Sequence, residues 1–302
     1  SNSLEYKPKI KVAFMTSSGA HRPANLIEPA LALTLKRRGL DTAALICDSS
    51  LSACNITEFG NQTNRLEVFH KSGPKGTKTC VGCEGFGINT WKTTGVELFK
   101  FSDFIKFNKN KIINPKKLIE SENITFMGVD IKEHIISASL RFLCRGSFDW
   151  SSPETGKVII RYYNAACEAV EVAQNFFDTY SPNIMICFHG IYIPHGIFGT
   201  VARKRGIRVI NWNTSYRKRR ILVSEDDTYH KAMCYEKENK WNVPLTKNEK
   251  TKIIEYLNSR EEGKQDWQQF NENPNKDILY DKDLINFKDN YSKIFLLLPN
   301  VI

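Results

Sequence analysis

Residues 9–48 hold the feature that most limits the fold of this chain. A β-rich run, Lys9 to Thr16 (KIKVAFMT), ends in the small-residue loop Ser17-Ser18-Gly19-Ala20-His21. An apolar-periodic segment from Asn25 to Arg38 follows, closed by Gly39, and a second β-rich run covers Asp41 to Asp48 (DTAALICD). Strand, loop, helix and strand make a βαβ unit, whose right-handed crossover implies a parallel sheet. Pro29 fits that helix only if it lies in the first turn, which leaves the start open by several residues.

The same alternation returns later in the chain. The segment after Pro153 carries apolar residues at Ile159, Tyr162, Tyr163, Ala166, Val170, Ala173 and Phe177, a sustained helical period. Asn183 to His189 (NIMICFH) reads as a buried strand, Gly196 to Lys204 as a helix stopped by Gly206, and Ile207 to Trp212 as a further strand. Between the two repeats, residues 49–125 are irregular, with loops at Gly73-Pro74, Gly76 and the Gly82 to Gly87 cluster, and Ile124 to Val129 is one more strand candidate. The expected fold is α/β, a Rossmann-like doubly wound parallel sheet with an irregular insertion and a C-terminal helical linker.

The expected domains are a Rossmann-like domain over 1–216 with its insertion at about 49–125, which the resemblance given below implies to be acceptor-binding, and a basic, helical linker over 217–292. Residues 293–302 (KIFLLLPNVI) read as the first strand of a second Rossmann-like domain that stops before its helix. The capping-box pair Thr246 and Glu249 opens a helix within the linker, with Ile253, Ile254 and Leu257 as its apolar positions.

Composition narrows the class. With 41% hydrophobic and 25% charged residues the chain matches a globular protein, not a disordered or collagen-like one. No run of 18 apolar residues is present, and the first residues lack the apolar core of a secretory signal, so a cytoplasmic protein is expected. The net charge of +10 bears on partners. Eight basic residues and no acid lie between Val201 and Ser224, with Arg217 to Arg220 placed to hold a phosphate or an acidic sugar. The lysine-rich stretch from Lys100 to Lys117 suits anionic lipid headgroups, hence peripheral association with the inner face of the cell membrane.

Candidate site residues gather at strand ends. In the first loop Ser17, Ser18 and Gly19 let a ligand approach the backbone, Asn25 follows, and His21 at the mouth could accept a proton from a hydroxyl nucleophile. The segment His189-Gly190-Ile191-Tyr192-Ile193-Pro194-His195-Gly196 leaves another strand, and Asn211, Asn213 and Tyr216 leave the next. Cys80-x-x-Cys83 lacks a second such pair or a histidine at finger spacing, and Glu225-Asp226-Asp227 reads as a surface turn. No metal is expected at either. Most cysteines, among them Cys47, Cys144, Cys167, Cys187 and Cys234, read as small hydrophobes inside apolar stretches.

Several short motifs together carry a resemblance. The opening strand with TSSGAH, the EPALALTLKRRG helix, the pair Cys47 and Asp48, the CxxC in a long insertion, the HGIYIPHG unit and the terminal KIFLLLPN resemble the N-terminal half of bacterial GT-B glycosyltransferases of capsule and surface-polysaccharide biosynthesis. That resemblance implies an enzyme moving sugar from a nucleotide-sugar donor, held by a second domain, to a glycan or lipid-linked acceptor, without a metal or cofactor. His21 would be the general base, and Ser17, Ser18, Gly19, Asn25, His189, Gly190, Tyr192, His195, Asn211, Asn213 and Arg217 would bind substrate. The donor domain does not follow Ile302, so this polypeptide is expected to be inactive alone. The rival readings are a non-catalytic basic module for an anionic polymer or nucleic acid, and a sugar-nucleotide epimerase on the same scaffold. No recognition motif for nucleic acid is present, and none is expected as partner.

Overall fold

Val12 and Phe14 face one apolar cluster while Ala13 and Met15 face another, because successive side chains of a strand point to opposite sides. A strand buried on both faces belongs to a sheet covered by helices on both faces. A computed structural model of the chain describes residues 10–58, 62–106, 114–215, 219–232 and 244–261.

The first repeat is β1 (Lys11–Phe14), α1 (Arg22–Arg37) and β2 (Asp41–Ile46). Helices α2 (Asn55–Glu58), α3 (Gln62–His70) and α4 (Lys78–Lys92) lead to β3 (Glu97–Lys100). After α5 (Pro115–Glu120), the short strands β4 (Thr125–Phe126) and β5 (Val129–Asp130) pair antiparallel, and α6 (Lys132–Leu143) and α7 (Pro153–Tyr180) follow. The second repeat is β6 (Ile184–Phe188), α8 (His195–Lys204) and β7 (Arg208–Thr214), continued by β8 (Ile221–Glu225) and α9 (Tyr229–Ala232). Helix α10 (Lys247–Glu261) ends the described residues.

Six strands form one sheet in the order β3-β2-β1-β6-β7-β8, with β3 to β7 joined by parallel pairings. Residues of α1 and α4 pack with Phe14, Ile46 and Trp212 on one face. On the other, α6, α7 and α8 pack with Met15, Leu45 and Met185. The apolar positions expected for α7 are buried along its 28 residues. At the expected 25 cal/mol per Å², a fully buried Leu or Phe stabilises by about 1.5–3 kcal/mol, so these two clusters dominate the fold's stability.

Contacts divide the described residues into two units, one taking in those within 10–213 and 223–232, the other those within 214–222 and 244–261. In the second, the capping box at α10 is present. Glu249 Oε2 accepts from the Thr246 backbone N–H at 2.8 Å, and Thr246 Oγ1 accepts from the Glu249 N–H at 3.3 Å. Ile253, Ile254 and Leu257 are exposed.

Several expectations are corrected. The insertion is largely helical: the CxxC lies in the first two turns of α4, where the Thr77 side chain caps the Cys80 N–H. Ile124 to Val129 is no strand of the main sheet but part of a hairpin, turned by Met127 and Gly128, both at positive φ, as a two-residue turn of this kind requires. Pro29 lies inside α1, which begins at Arg22 with Pro23 in its first turn. Cys144 is exposed, the left-handed cap of α6. The region read as a linker begins with β8, a sixth strand of the sheet. Tyr216, Arg217, Lys218, Cys234 and the expected strand at 293–302 lie outside the described residues.

Candidate functional site

The sheet reverses its order of connection between β1 and β6, since the chain leaves β1 toward β2 on one side and β6 toward β7 on the other. Loops diverge at such a point and leave a crevice outside the carboxyl ends of the strands. The expected residues from both loops flank this point.

Beneath the crevice one buried carboxyl ties three strand ends together. Glu28 of α1, 1% exposed, accepts from the Thr16 hydroxyl at 2.5 Å and from the Trp212 indole N–H at 2.6 Å. Thr16 Oγ1 in turn accepts from the Phe188 N–H at 2.6 Å. Burial raises the Glu28 pKa to about 7, against the lowering pull of the Thr16 and Trp212 hydrogen bonds. The loop above is held just as firmly. Asn25 Nδ2 donates to the carbonyls of Ser18 and Gly19, and Gly19 lies so close to α4 that a Cβ there would sit 1.9 Å from the Cys83 carbonyl oxygen. Ser17, Ser18 and Asn25 are buried, so they shape the loop.

His21 caps α1. Its Nδ1 accepts from the Ala24 N–H at 3.3 Å, and its ring lies 4.0 Å from that of Phe188. Burial lowers its pKa to about 4. A neutral imidazole whose Nδ1 accepts carries its proton on Nε2. His21 therefore presents a donor, which does not suit the general-base role expected of it.

His189 follows β6 at φ 66°, with Gly190 at φ 70°. A left-handed backbone at a non-glycine residue costs roughly 1–2 kcal/mol and persists where its surroundings demand it. Here the His189 N–H donates to the Trp212 carbonyl at 2.9 Å, and Gly190 lies against Asn211, whose Oδ1 a Cβ would meet at 2.3 Å. The His189 ring stacks on Tyr192 at 5.5 Å between centroids and lies 5.4 Å from His230. Tyr192 accepts from the Arg141 guanidinium at 2.7 Å, and that guanidinium also lies over its ring. Burial lowers the His189 pKa to about 4, helped by His230, Arg141 and His21. His195, buried at the start of α8, falls to about 3 from burial and from His21 and His189.

Three buried polar atoms of this cluster have no hydrogen-bond partner among the described residues: His189 Nδ1, His195 Nε2 and Asn211 Nδ2. Asn211 Oδ1 accepts from the Cys187 thiol at 3.1 Å, and Asn213 is also buried. The site thus joins His21, His189, Gly190, Tyr192, His195 and Asn211 from the sequence reading. It adds Glu28, Arg141 and His230, which that reading passed over, as well as His134. His134 of α6 bonds the Ile191 carbonyl at 2.8 Å and Thr200 Oγ1 at 3.2 Å, bracing the loop from behind. Only their chemistry, a buried acid and cations on amphipathic helices, marked them in the sequence.

Within the basic run, Arg203, Lys204, Arg205 and Arg208 are each spent on a different partner. Arg203 donates to the Asp226 carbonyl, Lys204 to that of Gly128, Arg205 pairs with Asp178 at 2.5 Å, and Arg208 pairs with Glu225. Among the described residues no three histidine, cysteine or acidic side chains come close enough to grip a single metal ion. No helix among them is long and apolar enough to cross a membrane.

No family model matches the chain, and no curated protein matches it. Solved structures similar to it include the zinc-inhibited form of teicoplanin deacetylase Orf2, at 11% identity and TM-score 0.35 over 68% of this chain and 67% of that one. A deacetylase–bog complex from teicoplanin biosynthesis gives 9% identity and TM-score 0.35 over 68% and 67%, and a deacetylase–teicoplanin complex 11% and 0.32 over 68% and 69%. The expectation of glycosyl transfer finds no support among these similarities and is not retained. The Ala24 N–H engaged at His21 Nδ1 takes up the lone pair that the expected base would have used.

Proposed function

We propose that the crevice outside β1, β6 and β7 binds a small anionic metabolite bearing hydroxyl groups, and that His189 is the group that exchanges a proton with it. The observation that carries this reading is the gathering of His189 Nδ1, His195 Nε2 and Asn211 Nδ2, three buried atoms with no partner among the described residues, at the carboxyl ends of the strands. Each buried polar group left unsatisfied costs about 1–3 kcal/mol, and a fold keeps several together where something else completes them. At neutral pH the depressed histidines are uncharged, able to accept from or donate to hydroxyls. Positive potential comes from Arg141 and from the N-termini of α1 and α8, neither of which has an acidic residue in its first turn.

The test is a calorimetric titration with inorganic phosphate, a nucleoside monophosphate, a sugar phosphate and an uncharged sugar. Binding is expected for the phosphorylated compounds that carry hydroxyls, about tenfold weaker in Arg141→Gln, the loss of one charge-assisted hydrogen bond. His189→Asn should abolish any proton uptake seen as a buffer-dependent binding enthalpy. Equal binding of the uncharged sugar would refute the anionic character, and no binding by any of the four would refute the reading.

A further inference from the structure

A second cleft is lined by none of the residues of the crevice. It lies between the end of α3, the start of α5 and the N-terminal half of α7, and its volume of about 490 Å³ is that of a small-molecule site. Lys157, Ile160, Arg161 and Asn164 follow one another along α7 at the spacing that puts helical residues on one face. Phe69 and Ser72, at the end of α3, and Pro115 of α5 line the cleft with them. We propose that this cleft binds a small carboxylic acid that carries a hydroxyl group and an apolar body.

The lining sets the chemistry of the ligand. Phe69, Pro115 and Ile160, each half-buried, give an apolar wall, which favours an apolar body and disfavours a ligand that is all charge, such as phosphate. Lys157 is exposed, with Nζ 5.7 Å from the centre of the Phe69 ring. Arg161 is 6% exposed, its guanidinium 4.5 Å from the centre of the Phe142 ring, and a guanidinium keeps its charge even when buried. Glu168, two turns further along α7, is directed at Ser52, accepting from its N–H at 2.7 Å and from its hydroxyl at 2.5 Å. Two cations therefore line the cleft and, among the described residues, no acid does, so a carboxylate is the complement. The hydroxyl follows from Asn164. This residue is 8% exposed, and its Oδ1 is buried with no hydrogen-bond partner among the described residues. A carboxylate only accepts and cannot satisfy that oxygen. A half-turn of the carboxamide exchanges Oδ1 with Nδ2, and a hydroxyl, both donor and acceptor, satisfies whichever end it meets.

Close backbone approaches fix the walls. Gly73, at φ 146°, donates its N–H to the Val68 carbonyl at 2.9 Å and lies so near Ser52 that a Cβ would sit 2.6 Å from the Ser52 carbonyl oxygen. Because Glu168 holds Ser52, the turn after α3 is tied to α7 through this one residue. At the opposite wall, a Cβ on Gly156 of α7 would meet Pro115 Cγ at 3.1 Å, so α5 approaches α7 where no side chain intervenes. The cleft is thus shaped before any ligand arrives, which lowers the cost of binding.

The experiment titrates the whole chain calorimetrically with 3-phenyllactate and 2-hydroxyisocaproate, with 3-phenylpropionate, which lacks the hydroxyl, and with 2-phenylethanol, which lacks the carboxylate. Expected is one hydroxy acid bound per chain, with 3-phenylpropionate about fivefold and 2-phenylethanol at least tenfold weaker than 3-phenyllactate. Lys157→Gln, at an exposed position, should weaken all the acids about tenfold, and Asn164→Leu should remove the difference between 3-phenyllactate and 3-phenylpropionate. Arg141→Gln should leave hydroxy-acid binding unchanged and inorganic phosphate should not displace it, so the outcome is independent of the crevice. Hydrogen exchange in the unsubstituted chain should slow at residues 69–73 and in the first turns of α7, a readout that stands even where a variant fails to fold. No binding by either hydroxy acid overturns the proposal. So do 2-phenylethanol binding as tightly as 3-phenyllactate, unchanged affinity in Lys157→Gln, and protection confined to residues 189–196.

Discussion

Two residues show how burial assigns roles that residue type alone does not. His21 looks like a base at a loop mouth, but its Nδ1 is engaged by the Ala24 N–H and its ring covers Phe188. Glu28 looks like a surface acid in a helix, yet it is the buried acceptor for Thr16 and Trp212. Glu28→Ala strands both donors and should destabilise the chain by about 2–4 kcal/mol in denaturant titrations, while Glu28→Gln, which keeps one acceptor oxygen, should lose less. An equal loss for the two variants would mean that the acceptor oxygen is not what matters. The histidines of HGIYIPHG were readable as site residues from their place after a buried strand. Arg141 and His134 were not, because the residues they support lie more than fifty positions away, at Tyr192 and Ile191.

At the level of elements, the loops after β1 and β6 depend on close backbone approach. Gly190→Ala meets Asn211 Oδ1 at 2.3 Å with φ at 70°, and should lower stability by roughly 2 kcal/mol or more through strain and clash. Gly19→Ala meets the Cys83 carbonyl oxygen and the Gly87 backbone, neither of which is a flexible side-chain end, and should push α4 from the loop. Its signature is faster alkylation of Cys80 and Cys83, with Cys167, buried in α7, unaffected. Unchanged rates would show that the helix has room to shift. The strands and helices of both βα repeats were legible from their periods of two and 3.6. The helices of the insertion were not. Helix α4 carries Gly82, Gly85 and Gly87, weak helix formers that read as loop until packing against the β1 loop decides otherwise.

For the whole molecule, the titrating groups oppose one another. His21, His189 and His195 have folded pKa values lowered from 6.5 to about 4, 4 and 3, so the stability they contribute is present above 6.5 and is lost as pH falls through those values. Glu28, raised from 4.5 to about 7, works in the opposite sense: its contribution is present below 4.5 and is lost as pH rises through about 7. Burial lowers His134 and His230 as well, so the histidines together outweigh Glu28, and the chain should lose stability from pH 6.5 toward pH 4. Glu28→Gln should make that loss steeper, by on the order of 3 kcal/mol across the range, since it removes the opposing group. Melting temperatures measured at half-unit pH steps check this, and a shallower acid limb in Glu28→Gln would contradict it.

The residue pattern was enough to establish the parallel α/β architecture, because helical and extended periods are local and each strand buried on both sides announces itself within a few residues. It could not say which strand ends meet. That depends on strand order, and the order β3-β2-β1-β6-β7-β8 is what sets Thr16 against Phe188 and Glu28 against Trp212. The packing of α4 on the β1 loop likewise brings Cys83 to Ser18. Contacts of this kind join residues 12 to 184 positions apart, and no local period encodes them, so the crevice exists only once the layers have closed.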